Sequence, residues 1–461
     1  MGASASGGAK PRRRILLVTY YWHPANVVAL NRIDAFARYL SLAGHEVTVL
    51  TTTAHAARSS RSGTTGAPGG RARVRVVRAF DAASSAFLRR LLGREPVPDE
   101  GGLAPDHHVP PPLVGSLFVP DPTVASWVPW ALAAALRLAR RVDAVVTSSS
   151  PEAVHLVGFA LRTLGVPWVA DFREPWFAEI DRVQFPLAAQ RKLDALLERG
   201  VVRRADRITT ATAPIAKDLA DRYGVTATTV TNAWDPEFER LVANRSGVER
   251  RAERRMLVHA GSLTARSGRS PRPLAAALAQ LRDSHPDEYR KLDLVLAGPV
   301  SDAERAELAP FAGEGPVRFV GRLERGPVLA LEREADGLLL LTSASPFEAS
   351  GKIFEYLAAG RPILALADGN AAAAIVRETG TGVVVPLDDP ARVAAVLAAF
   401  VRGELDAAYT PRNLDRYRQP NPVHLLERLI EDAIASRANR GTRAPGPHAR
   451  VGQPGSRAVA V

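Results

Sequence analysis

Short apolar runs alternate with amphipathic stretches along most of the chain. Arg14 to Thr19 has the length of a buried strand, Asn31 to Leu42 places Ile33, Phe36, Ala37 and Leu40 on one helical face, and Glu46 to Thr52 returns to strand. That order predicts a βαβ unit with parallel strands. A Ser-, Thr- and Gly-rich stretch, 57–71, reads as loop before a strand over Val74 to Ala79, and a Pro-rich stretch, 96–114, reads as a second exposed loop. Loops of that length in a compact domain are usually functional or disordered. The alternation resumes with a helix through Trp130 to Arg141, a strand Ala144 to Thr147, a helix Glu152 to Leu164, a strand Pro167 to Ala170, a helix Ala188 to Ala205, and strands at Ile208 and Thr228.

A second run of the same kind begins at Met256. Its strands are Leu257 to Ala260, Leu292 to Ala297, Val317 to Val320, Leu338 to Leu341, Ile363 to Leu366 and Val383 to Val385, each followed by helical spacing. The fold class is therefore α/β, with two doubly wound, Rossmann-like domains. The expected division is a basic tail over 1–13, a first domain over 14–236, a charged linker over 237–255, a second domain over 256–412, a helix crossing back over 413–436, and a basic tail over 437–461.

Composition narrows the function classes. No apolar run reaches the eighteen or so residues of a membrane span, and the basic N-terminus leads into too short an apolar run for a signal segment. The expected location is the cytoplasm. With no cysteine there is no disulfide, thiolate metal site or cysteine nucleophile. Net charge is +12, but nine of those charges sit in residues 1–14 and 437–461, leaving a nearly neutral body. A nucleic-acid partner is not expected. Basic, Gly/Ala/Pro/Ser-rich tails suit peripheral association with an anionic inner membrane face or RNA, although solvated, functionless termini are the plainer reading. His107 and His108 could ligate a metal, but nothing near them in the sequence completes a site.

Candidate chemistry concentrates between Ala335 and Leu366. A buried strand runs into Ser350-Gly351-Lys352-Ile353-Phe354-Glu355-Tyr356-Leu357-Ala358-Ala359-Gly360, with Gly360 and Pro362 ending the helix. Free amides at a helix start favour an anion, Lys352 adds a full charge, and Glu355 one turn on can accept bonds from hydroxyls. Only five of the sixty cationic residues are lysines, so Lys352 departs from the chain's habit. A nucleoside diphosphate fits this set; an ordinary crossover with Lys352 paired to Glu355 fits it too.

These residues resemble the GT-B glycosyltransferases, specifically the retaining, metal-independent family 4 group of bacterial polysaccharide type. The likeness covers roughly residues 14–435. It rests on Tyr20-Tyr21-Trp22-His23-Pro24, Asn31-Arg32, Gly44-His45-Glu46, Pro167 to Trp176 with Asp171-Phe172-Arg173-Glu174, Asn232-Ala233-Trp234-Asp235, His259-Ala260-Gly261-Ser262-Leu263, Phe319-Val320-Gly321-Arg322, and Ser350 to Pro362. The resemblance implies a hexosyltransferase moving sugar from a nucleoside diphosphate sugar to a saccharide or lipid-linked acceptor in surface polysaccharide or glycoconjugate synthesis, with no cofactor or metal.

It also implies residue roles. Glu355 would hold the ribose, Lys352 with Arg266 or Arg269 the diphosphate, and Arg322 would lie beside the base. Gly261, Ser350 and Gly351 occupy donor-site positions; Asp171, Arg173 and Asn31 stand on the first-domain side of the cleft. His155 is the titratable candidate for proton transfer, against a histidine merely bonded to backbone. Arg266 and Arg269 could equally form a solvated loop, and Asp171 and Arg173 could simply pair. The sequence departs from the family at Ala25 to Ala29, which lacks glycine, and at Glu348 and Glu355, separated by six residues rather than seven. Ser345-Pro346-Phe347-Glu348 fits a helix capping box, giving Glu348 a local role. A nucleotide-sugar 2-epimerase and an inactive donor-binding subunit are the alternatives.

Overall fold

Two largely parallel sheets organise the chain, one built before residue 230 and one after residue 254. The computed structural model describes residues 11–442 except 26, 28, 55–61, 67–72, 83–117, 123, 178–184, 264–269 and 368. The first sheet contains β1 (Arg14–Val18), β2 (Glu46–Thr52), β3 (Ser62–Gly66), β4 (Arg73–Ala79), β5 (Ala144–Ser148), β6 (Trp168–Phe172), β7 (Arg207–Thr210) and β8 (Thr228–Thr229), in the order β3-β4-β2-β1-β5-β6-β7-β8. Helices α1 (Ala29–Leu42), α2 (Val128–Leu138), α3 (Val154–Thr163), α4 (Ala188–Arg204) and α5 (Ala213–Tyr223) connect them. Because both faces are covered, the strands are buried along their length: every residue of β5 and β6 is buried, Thr147, Ser148 and Asp171 included.

The linker contains α6 (Phe238–Leu241). In the second sheet, β9 (Arg255–Ala260), β10 (Leu292–Ala297), β11 (Val317–Gly321), β12 (Gly337–Leu341), β13 (Ile363–Leu366) and β14 (Gly382–Val385) are ordered β11-β10-β9-β12-β13-β14. Its helices are α7 (Arg272–Ser284), α8 (Pro286–Lys291), α9 (Asp302–Leu308), α10 (Arg325–Glu334), α11 (Gly351–Ala359), α12 (Ala371–Thr379), α13 (Pro390–Val401) and α14 (Glu404–Ala408). Four apolar clusters line the two faces of the two sheets.

The return to the first domain is made by α15 (Asn421–Thr442). Val423, Leu426, Ile430 and Ala433, at helical spacing, pack with Ile15 and Leu17 of β1. Arg13 grips Glu431 through bonds of 2.8 and 2.7 Å, and Arg437 donates to the Gly165 carbonyl at 3.1 Å. Where the chain crosses between domains in each direction, Trp234 N–H donates to Tyr417 O and Gln419 N–H to Trp234 O, both at 2.9 Å. Among the described residues no helix is long and apolar enough to cross a membrane.

Three sequence expectations need correction. The 57–71 loop contains β3, an edge strand antiparallel to β4; edge pairing uses backbone groups and needs no apolar run. Residues 437–442 continue α15 instead of forming tail, because Arg437 anchors them. The N-terminal cations are tied to the body: Arg12 pairs with Glu46 at 3.0 Å and Arg14 with Asp143 at 2.7 Å, beside the Arg13–Glu431 pair. The rest of both tails, the 96–114 stretch, and with it His107 and His108, lie outside the described residues.

Candidate functional site

Each sheet reverses its strand order once, between β1 and β5 in the first and between β9 and β12 in the second. A crevice at the carboxyl ends of such strands is where open α/β sheets bind ligands. The loop leaving β12 crosses to the first domain: Thr212 Oγ1 donates to Phe347 O at 3.2 Å, and Phe347 packs on that domain's core. Four residues later α11 begins. Its amino end thus stands at the junction of the two domains, next to a switch point.

Helix α11 is set by its ends and its anchor. Ser350 Oγ accepts from Lys352 N at 3.3 Å, and Gly360, at φ 70°, closes the other end in the left-handed region. Ile353, Phe354, Tyr356 and Leu357 are buried, which leaves Lys352 and Glu355 on the half-buried side of the helix. Tyr356 is the anchor. Its hydroxyl accepts from Ala260 N at 2.9 Å and donates to Leu339 O at 3.4 Å, tying the helix to the end of β9 and the middle of β12.

This docking brings Lys352 over the turn that follows β9. Gly261 has φ +138°, a conformation that favours glycine, and a methyl there would lie 1.9 Å from Lys352 Nζ and displace the lysine tip. Gly298 lets the same turn approach: a methyl there would meet Gly261 O at 2.2 Å. The ammonium is shielded from solvent. A phosphate reaching it would meet a charge little weakened by water.

One turn on, the Glu355 carboxylate accepts from Arg325 Nη1 at 2.8 Å, and the Arg325 guanidinium lies 4.5 Å over the Phe238 ring of the linker helix. The sequence expectation omitted this partner, thirty residues away. It also omitted Glu332, a fully buried carboxyl on α10 with no hydrogen-bond partner at either oxygen among the described residues. Burial, reinforced by Glu355, raises its pKa well above the usual carboxylate range, with Arg325 and Lys352 opposing.

On the first-domain side, Asp171 at the end of β6 is fully buried and accepts from Arg32 Nε at 2.9 Å, Arg32 Nη2 at 2.6 Å, and the Ser148 and Thr209 hydroxyls, each at 2.7 Å. Burial disfavours its charge, but Arg32 and the two hydroxyls outweigh this and hold the carboxyl below its ordinary value. Asp171 is therefore a positioning group with no surface to offer substrate, and its partner is Arg32, not Arg173. Arg32 Nη1 also donates to Asn232 at 3.1 Å, linking α1 to the turn that ends the domain. Asn31 points outward and is exposed. Asp171→Ala is expected to cost about 3–5 kcal/mol, since it strands a buried guanidinium. Urea denaturation checks this; a loss under 1 kcal/mol would remove the pair from the account.

His155 is likewise corrected. It is fully buried, its Nδ1 lies 2.8 Å from Thr147 Oγ1, and its ring stacks on Trp176 with centroids 6.0 Å apart. Burial lowers its pKa to about 3, with Asp171 pulling weakly the other way. It stays neutral at working pH, enclosed in the core of the first domain. Between about 3 and the ordinary 6.5 only the unfolded chain takes up the proton, so stability falls as pH drops through that window. The His155 ring resonances should show no titration between about pH 5 and pH 8. A midpoint near 6.5 would contradict its placement.

Groups that do cluster at the mouth of the first domain are Ser150, Glu152, Arg173 and Glu174. Ser150 Oγ bonds Glu174 at 2.7 Å and Glu152 at 3.3 Å, and Arg173 Nη2 donates to Glu174 at 2.9 Å. Neighbouring Tyr21 is pushed up to about 12 by burial, with Arg173 opposing and Asp121, Glu174 and Glu152 reinforcing. In the second domain Glu348 closes its own loop, accepting from Ser343 N at 2.7 Å, and residues 345–348 form a turn instead of the capped helix expected there. Arg322 follows the Gly321 turn at the end of β11 and is exposed. Arg266 and Arg269 lie outside the described residues. Among the described residues no group of three or more His, Asp or Glu side chains is arranged to hold a metal.

Comparison with known proteins follows the two sheets. The family model described as Glycosyltransferase Family 4 matches residues 31–238, and that described as Glycosyl transferases group 1 matches residues 254–402. No curated protein matches. Among solved structures, sucrose-phosphate synthase (tll1590) from Thermosynechococcus elongatus is 16 % identical with a TM-score of 0.56, over 94 % of this chain and 98 % of that one. A structure described as trehalose-6-phosphate from E. coli bound with UDP-2-fluoro glucose is 12 % identical with a TM-score of 0.52, over 94 % and 99 %. A putative UDP-N-acetylglucosamine 2-epimerase from Listeria monocytogenes is 10 % identical with a TM-score of 0.51, over 92 % and 98 %. At these identities the likeness is one of fold, two Rossmann-like domains.

Proposed function

Because the chain is a family 4-like glycosyltransferase of the GT-B fold, we propose that it transfers a hexosyl group, with retention, from a nucleoside diphosphate sugar in the second domain to a hydroxyl acceptor at the mouth of the first. The observation that carries this reading is the seating of Lys352 over Gly261 at a strand-order switch, with Glu355 one turn on and the adjoining loop touching the first domain. The nucleotide-sugar complex of the E. coli neighbour supports the donor class. The role we assign is assembly of a surface polysaccharide or glycoconjugate on the cytoplasmic side. No metal and no resident cofactor take part.

In the reaction the bond from the anomeric carbon to the diphosphate oxygen breaks and one to the acceptor oxygen forms. The acceptor's proton passes to the departing phosphate, so no side-chain base is needed, in keeping with a buried, neutral His155. Negative charge grows on the diphosphate as it leaves. Lys352 and the amides at the start of α11 meet that charge, and such preorganised groups stabilise the transition state more than the ground state. Glu355 orients the ribose, turning from Arg325 or sharing it. Ser150, Glu174 and Arg173 offer the acceptor its hydrogen bonds.

A thermal-shift screen of nucleotide sugars identifies the donor, since a ligand bound to the native state raises the midpoint. With that donor, Glu355→Ala should raise Kd about tenfold to a hundredfold, the worth of hydrogen bonds to a charged group. Arg325→Ala is the control, and an unchanged Kd in Glu355→Ala removes the ribose assignment. The epimerase neighbour favours one second reading. Donor incubated alone and followed by NMR decides it: an epimer without acceptor would replace the transferase assignment.

A further inference from the structure

The first domain carries an apolar face on α2. The helix buries Ala131, Ala135 and Leu138 and turns Pro129, Trp130, Leu136 and Arg137 outward. Trp130 is 52 % exposed, Leu136 48 % and Phe80 44 %. The rings of Phe80 and Trp130 meet edge to face with centroids 5.5 Å apart, so the patch is continuous between strand end and helix. Of the six tryptophans, the other five are 7 % exposed or less. A helix apolar on its outward side as well as its inward one is ordinarily covered by something.

The charge around this face says what covers it. Arg137, Arg140 and Arg141 are all exposed at the end of the helix, and residues 122–142 contain no acidic side chain. Beyond Arg141 a groove of about 870 Å³ runs along the amino ends of β1, β2 and β4, and exposed Arg12, Arg14, Arg73 and Arg75 line it. Arg12 and Arg14 are partly neutralised by Glu46 and Asp143. The surface is thus an apolar strip ending in arginines of one sign. A uniformly anionic, apolar-cored partner matches that pattern; a protein partner would have to supply a matching block of carboxylates.

We propose that this face docks on an anionic lipid bilayer, with Trp130 and Phe80 seated among the head groups and Arg137, Arg140 and Arg141 against lipid phosphates. Tryptophan suits that depth because its ring is apolar and its N–H stays wet. Arginines near a negative surface add attraction that a single shallow helix lacks. The position also fits. Trp127, just ahead of α2, packs edge to face on Tyr20 at the carboxyl end of β1, centroids 5.5 Å apart, so the docked membrane lies beside the acceptor side of the crevice. An acceptor carried on a lipid then reaches the site without leaving its bilayer. That consequence rests on the proposed transfer reaction; the docking itself does not.

The test uses the full chain with phosphatidylcholine vesicles, with and without phosphatidylglycerol. Co-sedimentation is expected only with the anionic vesicles, and brominated acyl chains should quench tryptophan emission in the native protein and much less in Trp130→Phe. Arg137→Gln, Arg140→Gln and Arg141→Gln together should weaken partitioning roughly a hundredfold, at about fivefold per cation. Replacing Arg443, Arg450 and Arg457 by Gln should leave it within a few-fold. All these positions are at the surface or in the tail, so circular dichroism should be unchanged. The proposal is overturned by equal binding to neutral vesicles, by absence of binding, by loss of binding in the tail variant alone, or by concentration-dependent shielding of Trp130 from iodide without lipid, which would mean a second copy covers the face. Vesicle binding with no sugar transfer would sink the reaction and leave the docking standing.

Discussion

Lys352→Ala is expected to lower turnover at saturating donor by about 100- to 1000-fold, the usual cost of one preorganised charge stabiliser. The ammonium lies out of solvent over Gly261 at the start of α11, so its field on a departing diphosphate is screened little. Alanine in a first helical turn carries no propensity penalty, so the fold should survive. Lys352→Arg should restore little, because the space over Gly261 accepts a compact ammonium better than a planar fork. Turnover within a few-fold of the native value in a folded Lys352→Ala protein would remove the residue from the chemistry.

Gly261→Ala is expected to approach the same defect without touching a charged group. Its methyl would lie 1.9 Å from Lys352 Nζ and 2.0 Å from Cε, so the lysine must leave its seat. The φ of +138° adds strain of about 1–3 kcal/mol for any side chain, which will appear as a lower melting temperature. Turnover should fall about tenfold to a hundredfold. If seating Lys352 is what Gly261 does, the double variant should be no slower than Lys352→Ala alone, a failure of additivity characteristic of residues that share one interaction. Fully multiplicative losses would give Gly261 a separate role.

Much of the architecture was legible because both sheets are buried on both faces, and such strands announce themselves as apolar runs; Leu338 to Leu341 is one, with its strand ending at Leu341. What escaped was non-local. β3 has no apolar residue to signal it and exists by pairing with β4. Asn31 was singled out, yet Arg32 beside it finds Asp171, a pairing across 139 positions. His155 has the position of a catalytic base in the sequence and the surroundings of a core residue in the fold. On the donor side, the Ser350 to Glu355 spacing showed a helix start with a cation and a carboxylate. It held no sign of Tyr356 reaching Ala260, of Arg325 facing Glu355, or of Glu332 buried nearby. These depend on how α10, α11 and β9 pack, which no local spacing encodes.

The arrangement around α11 is the claim on which the functional account turns, and a crystal structure with a nucleoside diphosphate tests it most directly. The account predicts phosphate oxygens within hydrogen-bonding distance of Lys352 Nζ and of the amides at the start of α11, with both ribose hydroxyls at Glu355. A nucleotide bound away from this helix, or bound here with Lys352 still enclosed over Gly261 and no phosphate at its ammonium, would contradict it.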